Sequence, residues 1–363
     1  MSANNVKWVR LGEYITQRRE KNDNYEVPIL GVTRDGFIPP KQDGADTSLY
    51  NVFYKYDFVF NPARMELNSI YLNTEYDKAI CSSLYEIFYV NNTNELLPEY
   101  LNLYIKRDEF ARYCWYDAIG SARNYFRVAN MQDIQIPLPS IEIQRELVAT
   151  YNGLKTLAEQ NEALIEPLSK ACEAFIVNCK TKYPEVKLGE YIEELNERNI
   201  NNEISLTQGV DVNMQFIPAK RESSDNENTK IVRRGQFAFN KVVKAGGTKL
   251  PIALRKEADC IISSSYAVFQ IIKSNELISE FLFIWMSRKE FHRYCGFVSK
   301  GTTRDVFDFE DLCSLKIPLP PIEVQQSIVN LYNTLEEAKK IASEAREKLK
   351  TLCPALVQRA ANS

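Results

Sequence analysis

The chain repeats itself. VRLGEYI at residues 9–15 returns as VKLGEYI at 186–192, and four further pairs keep the same order. GFIPP (36–40) answers QFIPA (215–219), DFVFN (57–61) answers QFAFN (236–240), ELLPEYLNLYIKRDEFARYC (95–114) answers ELISEFLFIWMSRKEFHRYC (276–295), and IPLPSIEIQ (136–144) answers IPLPPIEVQ (317–325). The offset grows only from 177 to 181 residues, about half of the 363-residue chain. A period this long excludes a solenoid of about 20–50-residue units and implies a duplicated domain with its connector. Approximate internal two-fold symmetry is therefore expected.

Each half divides again. Residues 1–137 and 184–318 mix short β-rich runs, such as Phe58-Val59-Phe60 and Ala267–Ile272, with Gly, Pro and Asn turn signals and one helical stretch near 97–114 or 278–295. They read as α/β or α+β domains. Pro-Leu-Pro at 137–139 and 318–320 cannot lie inside a helix and marks the start of one. Long helices are expected over 138–183 and 319–363. The first offers a seam through Leu147, Leu154, Leu157, Leu164 and Leu168; the second offers Ile328, Leu331, Leu335, Leu349 and Leu352, with Ala338, Ala342 and Ala345 between them. Alternating steps of three and four over four heptads predict an antiparallel coiled-coil pair, large residues meeting small. Helices of about 30–35 residues would hold two domains roughly 45–50 Å apart. Pro167 and Pro354 are expected to bend or break them. The competing reading packs each helix on its own domain alone.

Composition narrows the function. With 45 Lys+Arg against 48 Asp+Glu and 45% apolar residues, the chain is an ordinary globular protein with material for two or three cores. No stretch approaches the roughly 20 apolar residues of a membrane span, and MSANNVKWVRLGEY carries no signal-peptide core, so a cytoplasmic location without membrane contact is expected. The eight Cys form no C-x-x-C pair, and one His builds no metal site. That residue, His292, stands in the polar run RKEFHRYC and is expected on a helix surface. Phosphate-loop, dinucleotide, nucleophile-elbow and H-E-x-x-H patterns are all missing. Asn61-Pro62-Ala63-Arg64 begins like an amino-methyltransferase motif but lacks its second Pro and its aromatic residue. No catalysis, no cofactor and no metal are expected in this chain.

Charge is unevenly spread. Residues 220–256 hold ten basic side chains, among them Arg233, Arg234, Lys241, Lys244 and Lys249, against three acidic ones. This predicts a polyanion-binding segment, with NKVVKAGGTK (240–249) as a loop reaching phosphates. Lys300, Thr302, Thr303 and Arg304 around Gly301, and Ser121, Arg123 and Arg127 after Gly120, put hydroxyls, backbone N–H groups and Arg together as a phosphate clamp. In the first copy, NPARMELNSIYL replaces the lysine-rich segment and offers Arg64. The halves keep a frame and change this surface, as two domains reading different sequences would.

Taken together, the doubled Ile-Pro-Leu-Pro turn, the helix opening on Gln144 or Gln325, the Gly-Ser/Thr turn before it and the V-[RK]-L-G-E-Y-I start resemble the specificity subunit of type I restriction-modification systems. The resemblance spans essentially the whole chain, with departures at Ser140, Ile143, Val324 and the two helix prolines. It implies duplicated target-recognition domains, each reading half of a split site on double-stranded DNA, joined by two long antiparallel helices. It implies that those helices dock methyltransferase subunits, two in number, which bind S-adenosylmethionine and methylate adenine, and that a translocating restriction subunit can join. Two other readings compete: a protein-only scaffold with duplicated binding domains and a coiled-coil rod, and a nucleic-acid enzyme with a hidden catalytic domain.

Overall fold

The computed structural model of the chain describes residues 6–23, 26–40, 46–118, 125–200, 202–219, 228–243, 249–299 and 305–362. It divides into two compact units, Met1–Gln160 with Ile341–Ser363, and Asn161–Lys340. No helix among the described residues is long and apolar enough to cross a membrane.

The first unit is built on a four-stranded antiparallel sheet in the order Ile15–Arg18, Glu86–Val90, Phe58–Phe60, Ile70–Leu72. Strand alternation sends Phe58, Phe60 and Phe88 to one face, where they join Tyr100, Leu101, Ile105, Cys114 and Phe126 of the helical layer. Val59 and Ile87 face the other way, into a smaller core with Phe53, Ala79 and Cys81. Both faces are covered, which is why the strand reads Phe-Val-Phe without polar interruption. Phe58 stacks on Phe88 at 4.8 Å between centroids, and Phe60 meets the same ring edge-on at 6.1 Å.

The second unit repeats this plan: strands Ile192–Leu195, Tyr266–Ile271, Phe237–Asn240 and Ile252–Leu254 in the same order. Its Phe237 stacks on Phe269 at 4.7 Å and Phe239 approaches edge-on at 6.2 Å. Behind the sheet, however, Val232, Ala238 and Ala253 stand where the first unit has Phe53, Val59 and Tyr71. The class is α+β with antiparallel sheets.

The LGEY repeat has a steric reason. It forms a one-turn 3-10 helix, Leu11–Glu13 or Leu188–Glu190, pressed against a short helix, Val128–Asp133 or Phe309–Cys313. A Cβ on Gly12 would lie 2.9 Å from the Gln132 carbonyl oxygen, and one on Gly189 would lie 2.8 Å from Cys313 Cβ. Only glycine fits that approach. The ends of each domain are zipped together, Lys7–Arg10 with Gln135–Leu138 and Glu185–Lys187 with Lys316–Pro318.

Two long helices, Ile141–Lys182 of 42 residues and Ile322–Asn362 of 41, follow these closing strands and contact each other. Leu352 of the second packs on the core of the first unit together with Leu147 of the first helix. In the second unit Ile176 and Cys179 of the first helix share a core with Ile328 and Val329 of the second. Early residues of one helix thus accompany late residues of the other, the mark of antiparallel packing. Both assignments run through their prolines. Pro167 is exposed, so solvent can take up the carbonyl it leaves without a donor.

The second helix keeps the expected seam: Ile328, Leu335, Ala338, Ala342 and Ala345 are buried, and Leu331, Leu349 and Leu352 half-buried. The first keeps Leu147, Leu154 and Leu168 but not Leu157 and Leu164, which are 41% and 49% exposed. From each shared position the buried stripe steps by four rather than three, through Tyr151, Ala158, Ile165 and Cys172, then on to Ile176 and Cys179. Aliphatic size favours the leucines in a pattern reading, whereas fully buried Ala158 belongs to a seam that already uses small residues. Two successive steps of four, from Leu168 to Cys172 to Ile176, make a stutter just beyond Pro167.

Candidate nucleic-acid interface

The interface is held from behind by two glutamines. Gln144 and Gln325 lie in the first turn of the long helices with no exposed surface. The Gln144 side chain donates to the carbonyls of Glu95 at 2.7 Å and Pro139 at 2.9 Å, and accepts from the Leu97 N–H at 2.9 Å. Gln325 repeats all three bonds with Glu276 at 2.7 Å, Pro320 at 2.8 Å and Ile278 N–H at 2.9 Å. Each bolts a long helix to the loop that starts the helical layer of its domain.

The variable segments leave the sheet at a shared point. Asn61 and Asn240 end equivalent strands, and each side chain accepts the N–H two residues on, from Ala63 at 3.1 Å and Val242 at 3.0 Å. Such Asx turns launch a new direction. Pro62 C=O then accepts from Phe126 N–H at 3.0 Å, and Lys241 C=O from Phe307 N–H at 2.8 Å. Val242–Val243 also pairs with Asp305–Val306. Residues 241–243 and 305–307, far apart in sequence, therefore lie side by side, and Pro62 and Phe126 match them in the first unit. Lys244, Lys300, Thr302, Thr303, Arg304, Ser121 and Arg123 lie outside the described residues.

The basic cluster read from residues 220–256 is not one surface. Arg233 and Arg234 sit at the opposite end of the Phe237–Asn240 strand from Lys241, about 13 Å away along four extended residues. Arg233 is paired with Glu197 and, at 3.2 Å, with Asp259, and its pKa is raised by the Glu197 bond. The Arg234 N–H bonds Asp259 at 2.9 Å. Lys230 is buried, donates to Tyr266 C=O at 2.9 Å, and burial lowers its pKa. Arg255 is buried too, bonded to Ala258 C=O at 2.6 Å and lying over the Phe216 ring. Lys241 faces Glu194 at 3.8 Å and Asp308 at 3.4 Å. Of the expected phosphate contacts in this segment, Lys249 is exposed beside the shared launch point. In the first unit Arg64 is exposed on the turn after Pro62, while Arg127 caps the Val128–Asp133 helix and pairs with Glu86 at 2.8 Å. A count along the chain misses this sorting because it cannot see which cations have found acids or burial.

Beside the launch point of the second unit, a cleft of about 530 Å³ is lined by Gln208, Asn228, Thr229, Asn240, Ser263 and Tyr266, among others. Amide and hydroxyl side chains are the types that read base edges.

His292, expected on the surface, is 4% exposed. On the Lys289–Val298 helix it shares the inward face with Phe291 and Cys295, and its Nδ1 accepts the Leu250 N–H at 3.2 Å, fastening the far end of the lysine segment. Burial, and then the Lys249 charge, lower its pKa to about 4. Because the folded value lies below the unfolded one near 6.5, this contribution is complete above about pH 6.5 and is lost as pH falls towards 4. The shift corresponds to about 3 kcal/mol. His292→Asn should flatten the fall in urea midpoint between pH 7 and 4.5; equal pH slopes in both proteins would remove the argument.

Residues 185–351 match the family described as the type I restriction modification DNA specificity domain, and the first unit repeats that domain's frame from LGEY to the buried glutamine. The second unit is thus similar to a type I specificity domain. The chain is 22% identical over 288 residues to the specificity subunit of type I restriction enzyme MjaX from Methanocaldococcus jannaschii, spanning 71% of the chain and 66% of that protein. Its fold is that of the S subunit of a type I restriction-modification system from M. genitalium, with 14% identity, TM-score 0.59, and 97% and 96% of the two chains covered. The HsdS subunit from Thermoanaerobacter tengcongensis aligns with 19% identity and TM-score 0.45 over 99% and 97%.

Proposed function

We infer that this chain is the non-catalytic DNA-recognition subunit of a type I restriction-modification complex. Each unit reads one half of a bipartite double-stranded site, and the two long helices dock methyltransferase subunits that bind S-adenosylmethionine and methylate adenine. The supporting observation is the tether at the shared launch point: in each unit the residue after the Asn that ends the strand, Pro62 or Lys241, accepts from the N–H of Phe126 or Phe307, on a frame otherwise held constant.

The test is co-expression with a methyltransferase of the type I class, followed by mapping of methylated adenines. A gapped, asymmetric motif is expected; scattered or absent methylation would refute the reading. Replacing Lys244 and Lys249 by Gln should weaken binding to all sequences alike and reduce the slope of log affinity against log salt by about 2. Lys241, already facing two carboxylates, should contribute little to that slope.

A further inference from the structure

A cleft of about 600 Å³ opens in the first unit between the helix Pro98–Ile105 and the first long helix. Small-molecule sites measure about 300–1,000 Å³. Glu99 and Asn102 line it from the short helix, with Lys106 at that helix's C-terminus, and Tyr151 and Lys155 line it from the long one. The second unit keeps the frame, with Tyr332 in place of Tyr151, but carries Phe283 where the first unit has Asn102. Phe283 and Tyr332 both pack against the core of their unit. Ala253 and Ser287 stand at the places of Tyr71 and Lys106. The first unit has therefore exchanged packing groups for amide, phenol and ammonium groups at one spot.

Two further features mark the cleft. Tyr56 lines it from a left-handed backbone position, φ 66°. The turn is the same in both units: Tyr56 N–H donates to Asn73 C=O at 2.7 Å, and Gly235 N–H to Arg255 C=O at 2.8 Å. Gly235 takes φ 89° with no side chain to strain it. A tyrosine in that place carries strain the turn does not need, and such strain collects where a side chain serves a ligand. The second feature is Asn102 Oδ1, which is buried with no hydrogen-bond partner. An unbonded amide oxygen is costly, and the soft χ2 torsion of asparagine lets it turn to a donor arriving in the cleft.

The lining selects the ligand. The Tyr56 ring, 44% exposed, offers a face to a flat heterocycle, and an Asn amide meets the N6 donor and N7 acceptor of adenine with its two ends. Lys106, held over the Tyr71 ring at 5.0 Å, joins Lys155 and Arg346 as cations suited to phosphate. Asp35 and Glu99 suit ribose hydroxyls, which carboxylates accept, and Glu159 lies 3.9 Å from Lys155. Three acids beside three cations match one phosphate better than a chain of them. We propose that this cleft binds an adenine nucleotide with a single phosphate, Asn102 reading the base and Tyr56 stacking on it. Such a site is independent of DNA reading.

The experiment is calorimetric titration of the complete chain with adenosine monophosphate, and with guanosine monophosphate for comparison. One saturable site is expected, with the guanine nucleotide bound about tenfold more weakly because an acceptor replaces the N6 donor. Asn102→Phe, which installs the residue the second unit carries, should abolish binding. Tyr56→Gly should weaken it about tenfold while leaving the urea midpoint no lower, since glycine relieves the left-handed strain; Tyr56→Phe should bind as the parent does. No saturable binding of either nucleotide, equal affinity for the two, or binding that survives Asn102→Phe overturns the proposal. A midpoint lowered by Tyr56→Gly with binding unchanged makes the tyrosine a packing residue and overturns it too. Should Asn102→Phe fail to fold, the Tyr56→Gly pair of readings decides alone.

Discussion

Gln325→Leu is expected to lower the stability of the second unit by about 4 kcal/mol, because the substitution leaves three backbone groups, the Ile278 N–H and the Glu276 and Pro320 carbonyls, with no partner in a site closed to water. Leucine is close in volume, so packing alone predicts a small change. Against a total of about 5–15 kcal/mol, the loss should appear as a large fall in urea midpoint. Gln144→Leu should do the same to the first unit. The neighbouring Gln326, exposed and bonded to Asn330 at 3.0 Å, supplies the control: Gln326→Leu should stay within about 0.5 kcal/mol. A Gln325→Leu midpoint no lower than that of the control would mean that the long helix is not fastened through this side chain.

Exchange of one recognition domain should change one half of the methylated site completely and leave the other untouched. The argument is in the joints. Residues 7–10 and 135–138 lie side by side in one antiparallel pair, so the domain leaves the helix frame where it entered. The Gly12 approach and the Gln144 bonds are likewise duplicated at Gly189 and Gln325. A foreign domain that keeps LGEY at its start and IPLP-x-x-x-Q at its end brings every joint contact with it. Substituting residues 7–137 and mapping methylated adenines is the measurement; changes in both half-sites would refute separate reading by the two units.

Much of this architecture was open to inspection in the sequence, and the failures have physical causes. The duplication, the Phe-Val-Phe and Phe-Ala-Phe strands and the seam of the second helix could be read because they depend on periodicity and identity, which a linear string preserves. The seam of the first helix slipped at Ala158 and Ile165, since Leu157 and Leu164 are the more apolar choices and only close packing on the facing helix selects otherwise. The basic segment misled for a different reason. Arg233, Lys230, Arg255 and Lys241 are answered by Glu197, a backbone carbonyl, burial over Phe216 and a pair of carboxylates, partners contributed by distant strands. His292 looked like one more polar residue on a polar helix, and its acceptor role needs Leu250, 42 residues away.

The glutamine anchors also determine how the molecule would answer to pulling. Each makes two bonds to one short stretch of its domain, 95–97 or 276–278, and a third to the proline carbonyl just ahead of its own helix, on a side chain rooted one turn into that helix. Tension applied along either long helix would load the two bonds to the domain stretch together in shear, before the stacked phenylalanines of the sheet felt any strain. Any machine that drags on those helices would find the anchor yielding as a unit, with the reading surface still intact beyond it.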